Sequence, residues 1–199
     1  MLWQHRSMND RIIGICGPAR SGKDTLADSF IEIFKEYKVK TQKLSFAKEL
    51  KYECKSFVKK TLGIDIFTEV TEEKDIIRPL LVTWGTHVRR KLNDNVWIEA
   101  LEKRMHSNKI VIISDVRFEN EFNWIKQQGG KIVFVNRTLP DGTLVPNANE
   151  EEEKNNSLLQ QNADSAFTWH TMNDERWIQA IAHSILTGIV PKDWINRGL

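Results

Sequence analysis

Apolar residues in this chain come in two arrangements. Short runs rich in isoleucine and valine recur at residues 11–16, 110–115 and 131–135, and residues 41–46 alternate more weakly. Such runs predict strands, and the unbroken β-branched run Ile110-Val111-Ile112-Ile113 predicts a central strand buried on both faces. Between them, apolar positions fall three and four apart. Leu26, Phe30, Ile33 and Phe34 predict a helix over residues 23–37. Further helices are predicted over 47–62, lysine-rich outside and closed by Gly63, over 77–92 within a charged irregular stretch, and over 97–106. Residues 119–128 form another, ended by Gly129-Gly130, and residues 174–186 a closing one. Residues 165–169 predict a last edge strand. Residues 139–162, with Pro, Gly, Asn and the acidic run Glu150 to Glu153, predict a flap or loop. Strands alternating with helices imply an α/β fold, a parallel sheet with helices on both faces.

A chain of 199 residues fits one domain with a full core. We expect the core over about 9–62, 107–137 and 163–199, an insertion over about 63–100 and a lid over about 138–162. A net charge of +2 gives no global field for nucleic acid or a membrane surface, so neither is an expected partner and any anion site must be local. The apolar runs are too short to span a bilayer, and the first residues lack the apolar centre of a signal peptide. Met8 offers an alternative start. Cys16 and Cys54 have neither metal spacing nor a disulfide framework, which suits a reducing, cytoplasmic setting.

Against this background one segment carries chemistry. G-P-A-R-S-G-K-D-T, Gly17 to Thr25, follows the first strand and opens the first helix. That order makes a phosphate cradle, in which loop amides and the positive end of the helix converge on one small volume. Gly17 and Gly22 permit conformations and approaches that a side chain blocks. Arg20 and Ser21 complete the loop, and Lys23 adds a mobile cation for β- and γ-phosphates. The usual pattern has Ser or Thr after the lysine. Here Asp24 stands there and the hydroxyl comes one place later, at Thr25. Asp24 either holds a metal through water, orients an attacking phosphate, or serves helix-start electrostatics together with Asp28 four residues on.

Three further groups belong to the argument. Asp115 ends the Ile110 strand, where ligands of parallel sheets bind; it is a metal ligand or a turn cap. Arg117 and Glu121 follow in S-D-V-R-F-E-N-E, with Arg117 either a phosphate ligand or half of a local ion pair. The insertion carries Arg78, Trp84-Gly85-Thr86, Arg89 and Arg90, which are cations for a second phosphate or a solvated basic face. Trp97 in N-D-N-V-W is an aromatic platform for a base or a core residue. Arg137 lies at the root of the flap, placed to stabilise transferred charge. Between Arg137 and Arg176 the one lysine or arginine is Lys154.

These pieces, with R-P-L-L-V-T-W-G-T-H-V-R-R and D-V-R-F-E-N-E-F in order between about residues 11 and 137, resemble the deoxynucleoside monophosphate kinases of tailed bacteriophages. The Ser-Gly-Lys-Asp form of the loop is shared with phosphomevalonate kinases. The resemblance implies a three-layer P-loop fold of the nucleoside monophosphate kinase type and transfer from ATP, with Mg²⁺, to a deoxynucleoside monophosphate. It implies a phosphate and metal loop of Ser21, Gly22, Lys23, Asp24 and Thr25, to which the residues themselves add Gly17 and Arg20 for ATP and Asp115 toward the metal. It further implies a monophosphate and base region of Arg78, Gly85, Thr86 and Trp97, with Asp115, Arg117 and Glu121 as active-site groups, and a possible homodimer; the residues themselves add Arg89 to the first group and Arg137 to the second. Two rivals stand beside it: a kinase of another small phosphorylated metabolite, and a nucleotide-binding protein without enzymatic activity.

Overall fold

The computed structural model describes residues 11–147, 150–170, 175–192 and Trp194. The segment containing Met8 lies outside the described residues, as do Asn149 and Asp174. Chain elements fall in the order β1 (Ile12–Cys16), α1 (Lys23–Glu36), β2 (Thr41–Leu44), α2 (Phe46–Leu62), α3 (Thr71–Val82), a π-helical stretch (Thr83–Arg89), α4 (Arg90–Leu92) and α5 (Val96–Glu102). There follow β3 (Ile110–Val116), α6 (Glu119–Gln127), β4 (Lys131–Arg137), α7 (Glu150–Asn162), β5 (Ser165–Trp169) and α8 (Glu175–Ile189). They divide into two compact units, one taking the chain up to Leu44 and from Met105 on, the other Ser45–Arg104.

The first unit is built on a five-stranded sheet of order β2-β3-β1-β4-β5 with every pairing parallel. Every residue of β1 is buried, as its β-branched run predicts for the middle of such a sheet. The period of two sorts its side chains. Ile13 and Ile15 pack with Leu26, Phe30 and Phe34 of α1 and Leu186 of α8. Gly14 faces the other way, where α6 comes so close that an added Cβ would lie 2.7 Å from Ile125 Cδ1. The sheet thus carries α1 and α8 on one face and α6 on the other, with α7 beside α6.

The flap differs from its expectation as a loop. Residues 139–144 make a tight turn at Gly142 closed by a bridge between Thr138 and Leu144, and α7 then runs over thirteen residues. Acidic residues suit the positive end of a helix. The apolar anchor is slight: Leu159 is buried, and Asn156 is held by its Nδ2–H to Asn147 Oδ1 at 2.6 Å. One buried leucine makes no periodic signal.

The second unit is all helical. Ser45 caps α2 by accepting from Lys48 N, and Gly63 ends it in the left-handed conformation. Cys54, Val58, Ile66 and Ile77 form its small core. α2, grouped by sequence with the sheet, here belongs with the helices of residues 71–102. The widened π-helical turn seats Gly85 on Leu50, where a Cβ would meet Leu50 Cδ2 at 2.7 Å.

Candidate active site

The site grows from the carboxyl end of β1. Gly17 has φ +134°, and a Cβ there would stand 2.1 Å from the Val135 carbonyl oxygen of β4, so no other residue fits. Arg20 (φ 64°) and Gly22 (φ 89°) are also left-handed. Successive changes of backbone hand turn loop amides inward and form an anion-binding concavity. A Cβ on Gly22 would lie 2.8 Å from Trp169 Nε1 at the end of β5. Ser21 is fully buried, and its Oγ has no hydrogen-bond partner among the described residues. An orphaned hydroxyl inside such a loop fits a cradle shaped for phosphate oxygens.

Lys23 begins α1 and folds back over the loop. Its Nζ donates to the carbonyls of Gly17 (2.8 Å) and Pro18 (2.6 Å). Burial, and then repulsion from Arg117, bring its pKa down from 10.5 to about 8, against attraction from Glu152, Asp115 and Asp24. These charges therefore all act on one ammonium. Asp115 is the half-buried penultimate residue of β3, and because β3 pairs with β1, it stands at the loop's edge. Arg117 follows in the exposed turn. Glu152, from α7, was not foreseen in the sequence.

Asp24 is exposed yet fixed. Ser114 Oγ donates to its Oδ1 at 2.8 Å, and Lys43 Nζ lies 3.1 Å from the same oxygen. Burial raises its pKa, but the bonds from Ser114 and Lys43 outweigh this and hold the carboxyl below its usual range. Thr25 is exposed on the next position of the helix, and its carbonyl accepts from Ser29. Asp24, Thr25 and Asp115 offer hard oxygen donors, and Mg²⁺ is commonly held by one or two carboxylates plus substrate phosphates. The donor set fits that ion.

Glu121 has a structural position. It is 1 % exposed, and its Oε2 accepts from the backbone N–H groups of Arg117 (2.9 Å) and Phe118 (3.1 Å). It caps α6, three residues after Phe118, and so shapes the turn that carries Arg117. Arg137 is the half-buried last residue of β4.

In the helical unit, Arg78 is exposed on α3, while Gly85, Thr86 and Arg89 lie in the π-helical stretch. Arg89 Nε stands 2.8 Å from Glu53 Oε1. Trp97 is the core residue of the two alternatives. It is 4 % exposed and donates to the Gly85 carbonyl at 3.3 Å, so it presents no open face. Trp84 is the presented indole. It is 40 % exposed, donates to Glu53 Oε1 at 2.7 Å, and lines an apolar cavity of about 330 Å³ with Phe57, Leu80 and Cys54.

A parallel sheet with a left-handed glycine loop and a helix-starting lysine at its carboxyl edge defines a P-loop fold. The comparisons with known proteins give the family. The model described as phosphomevalonate kinase matches residues 15–131, more than half of the chain, and the chain belongs to that family. A protein of Acanthamoeba polyphaga mimivirus, provisionally named a deoxynucleotide monophosphate kinase, is 28 % identical over 150 residues, covering 63 % of this chain and 74 % of the relative. Shikimate kinase from Aquifex aeolicus is similar over 87 % of this chain and 95 % of its own, at 18 % identity and a TM-score of 0.49. The Mycobacterium tuberculosis APS kinase CysC, solved with AMPPNP and APS, is similar over 89 % and 96 %, at 12 % identity and a TM-score of 0.42. Among the described residues no helix is long and apolar enough to cross a membrane.

Proposed function

We propose that the protein is a nucleoside monophosphate kinase, moving the γ-phosphoryl group of ATP to a deoxynucleoside monophosphate. The observation that carries the donor half is Lys23, folded over a loop with left-handed turns, where Arg117, Asp115 and Asp24 act on its charge. The acceptor half is supported by the mimivirus relative and by the exposed indole of Trp84 beside its apolar cavity, a surface suited to a base.

Loop amides and Lys23 hold the donor triphosphate. An acceptor phosphate oxygen attacks the γ-phosphorus, the bond to the bridging oxygen breaks, and ADP leaves. The attacking oxygen is already an anion near neutral pH, so no general base is required. Catalysis lies in positioning and in meeting charge with fixed cations. Arg117 and Arg137 are assigned to the transferred charge, and Arg78 and Arg89 to the acceptor phosphate. Asp24, Thr25 and Asp115 would hold Mg²⁺, which supplies charge neutralisation on the donor phosphates when bound.

A second reading is favoured by the family model: a kinase acting on mevalonate phosphate. A coupled ADP-release assay with dGMP, dTMP, dCMP and dAMP against mevalonate 5-phosphate separates the two. Turnover on at least one nucleotide, absent with the mevalonate ester, is the expected result. Silence on all four nucleotides with turnover on the ester reverses the assignment.

A further inference from the structure

The acidic pair Asp24 and Asp28 lies four residues apart on α1, so both carboxylates share one helix face. Lys43, from the edge strand β2, reaches both. Its Nζ is 3.1 Å from Asp24 Oδ1 and 2.8 Å from Asp28 Oδ1. Ser114, on the neighbouring strand β3, donates to the same Asp24 Oδ1. Both of these contacts fall on the same Asp24 oxygen. The Asp24 side chain is still 78 % exposed. An aspartate serving only helix-start electrostatics needs no such grip.

We infer that Lys43 is a resident counter-cation at the metal-holding carboxylate, a positioning residue that a divalent ion must compete with when it arrives with the nucleotide. The inference rests on the donor-site reading above. Ser114 fixes the orientation of Asp24, and Lys43 balances its charge while no metal is bound. Asp28 makes the exchange easy: on leaving Asp24, the ammonium keeps its 2.8 Å partner. The arrangement sets how much divalent ion the donor site needs, since a unit positive charge beside a ligand carboxylate opposes a second cation.

The test is Mn²⁺ binding to the ADP-loaded protein, read from the EPR signal of free Mn²⁺, for wild type, Lys43→Met, Lys43→Arg, Asp24→Asn and the double variant Lys43→Met/Asp24→Asn. We expect Lys43→Met to bind Mn²⁺ about tenfold more tightly than wild type, the scale of one neighbouring charge at partial exposure. Lys43→Arg keeps wild-type affinity, and the gain disappears when Asp24 is already Asn. A merely structural lysine would change the melting temperature without tightening the metal. Unchanged or weaker Mn²⁺ binding in Lys43→Met, with wild type binding normally and Asp24→Asn impaired, overturns the inference and leaves the donor site standing. Wild-type Mn²⁺ affinity in Asp24→Asn overturns the inference together with the assignment of Asp24 to the metal, because the metal then does not depend on that carboxylate, while failure of the protein to load ADP at all is what overturns the donor site. Should Lys43→Met fold poorly, the comparison moves to Lys43→Gln.

Discussion

Lys23 makes a strong pH prediction. The side chain is only 8 % exposed, and burial, followed by repulsion from Arg117, brings its pKa from 10.5 to about 8. Between those values the unfolded chain binds one more proton than the folded one, so the fold gains stability as pH rises through that window. Below about 8 both states are protonated and the full penalty, ~3 kcal/mol, stands. A bound triphosphate reverses the preference, because it favours the ammonium. Binding above pH 8 must therefore take up a proton. About nine-tenths of the lysines are charged at pH 7 and about one-tenth at pH 9, so the Kd for a non-hydrolysable ATP analogue rises about tenfold, or ~1.4 kcal/mol, across that range.

Isothermal titration at pH 7, 8 and 9 measures this directly, and proton uptake appears as a dependence on buffer ionisation enthalpy. Lys23→Arg keeps its charge and should flatten the profile. Lys23→Met should bind weakly at every pH and lose at least ~100-fold in kcat. Its melting temperature should move little, because the lost bonds to Gly17 and Pro18 are offset by removal of a buried charge. A wild-type Kd constant from pH 7 to 9 refutes the reasoning, as does a Lys23→Arg profile with the wild-type slope.

Three other variants separate roles. Gly17→Ala combines a positive φ with a Cβ 2.1 Å from the Val135 carbonyl oxygen, and should lower stability by at least ~3 kcal/mol in thermal melts. A near-native melt would mean that the loop relaxes freely. Arg78→Ala removes an exposed cation, so it should leave the fold intact and raise KM for the monophosphate far more than for ATP; equal effects on both substrates count against an acceptor clamp. Glu121→Ala leaves two backbone N–H groups without their carboxylate and should cost ~2 kcal/mol, a fall of about 5 °C in Tm, with KM for the monophosphate unchanged at low temperature. The reverse pattern, an intact Tm and a raised KM, would make Glu121 a substrate group.

What the sequence made legible, and what it hid, follows from how local each requirement is. The strand of Ile110 and the loop of Gly17 to Lys23 are dictated by neighbours in the chain: β-branched residues suit a sheet interior, and a strand-to-helix cradle needs glycines where the backbone changes hand. Trp84 and Trp97 have no such local mark. Trp84 lies within the π-helical stretch and is presented, while Trp97 is covered where it donates to the carbonyl of Gly85, a residue seated against Leu50 of another helix. Glu121 is a different case. Its motif drew attention to chemistry, while its carboxylate accepts from the amides of Arg117 and Phe118 just before α6, behind an N-cap phenylalanine that hides the usual capping pattern. Lys43 and Ser114 are the instructive case. Neither belongs to a linear motif, and they reach Asp24 only because β2 pairs with β3 and because Lys23 and Asp24 open the helix that follows β1. A glycine loop of this kind can be read from nine consecutive residues, whereas Lys43 and Ser114 come from strands brought alongside by the sheet. Residues that alter metal demand while leaving nucleotide binding in place should therefore be sought on β2 and β3 rather than in the loop itself.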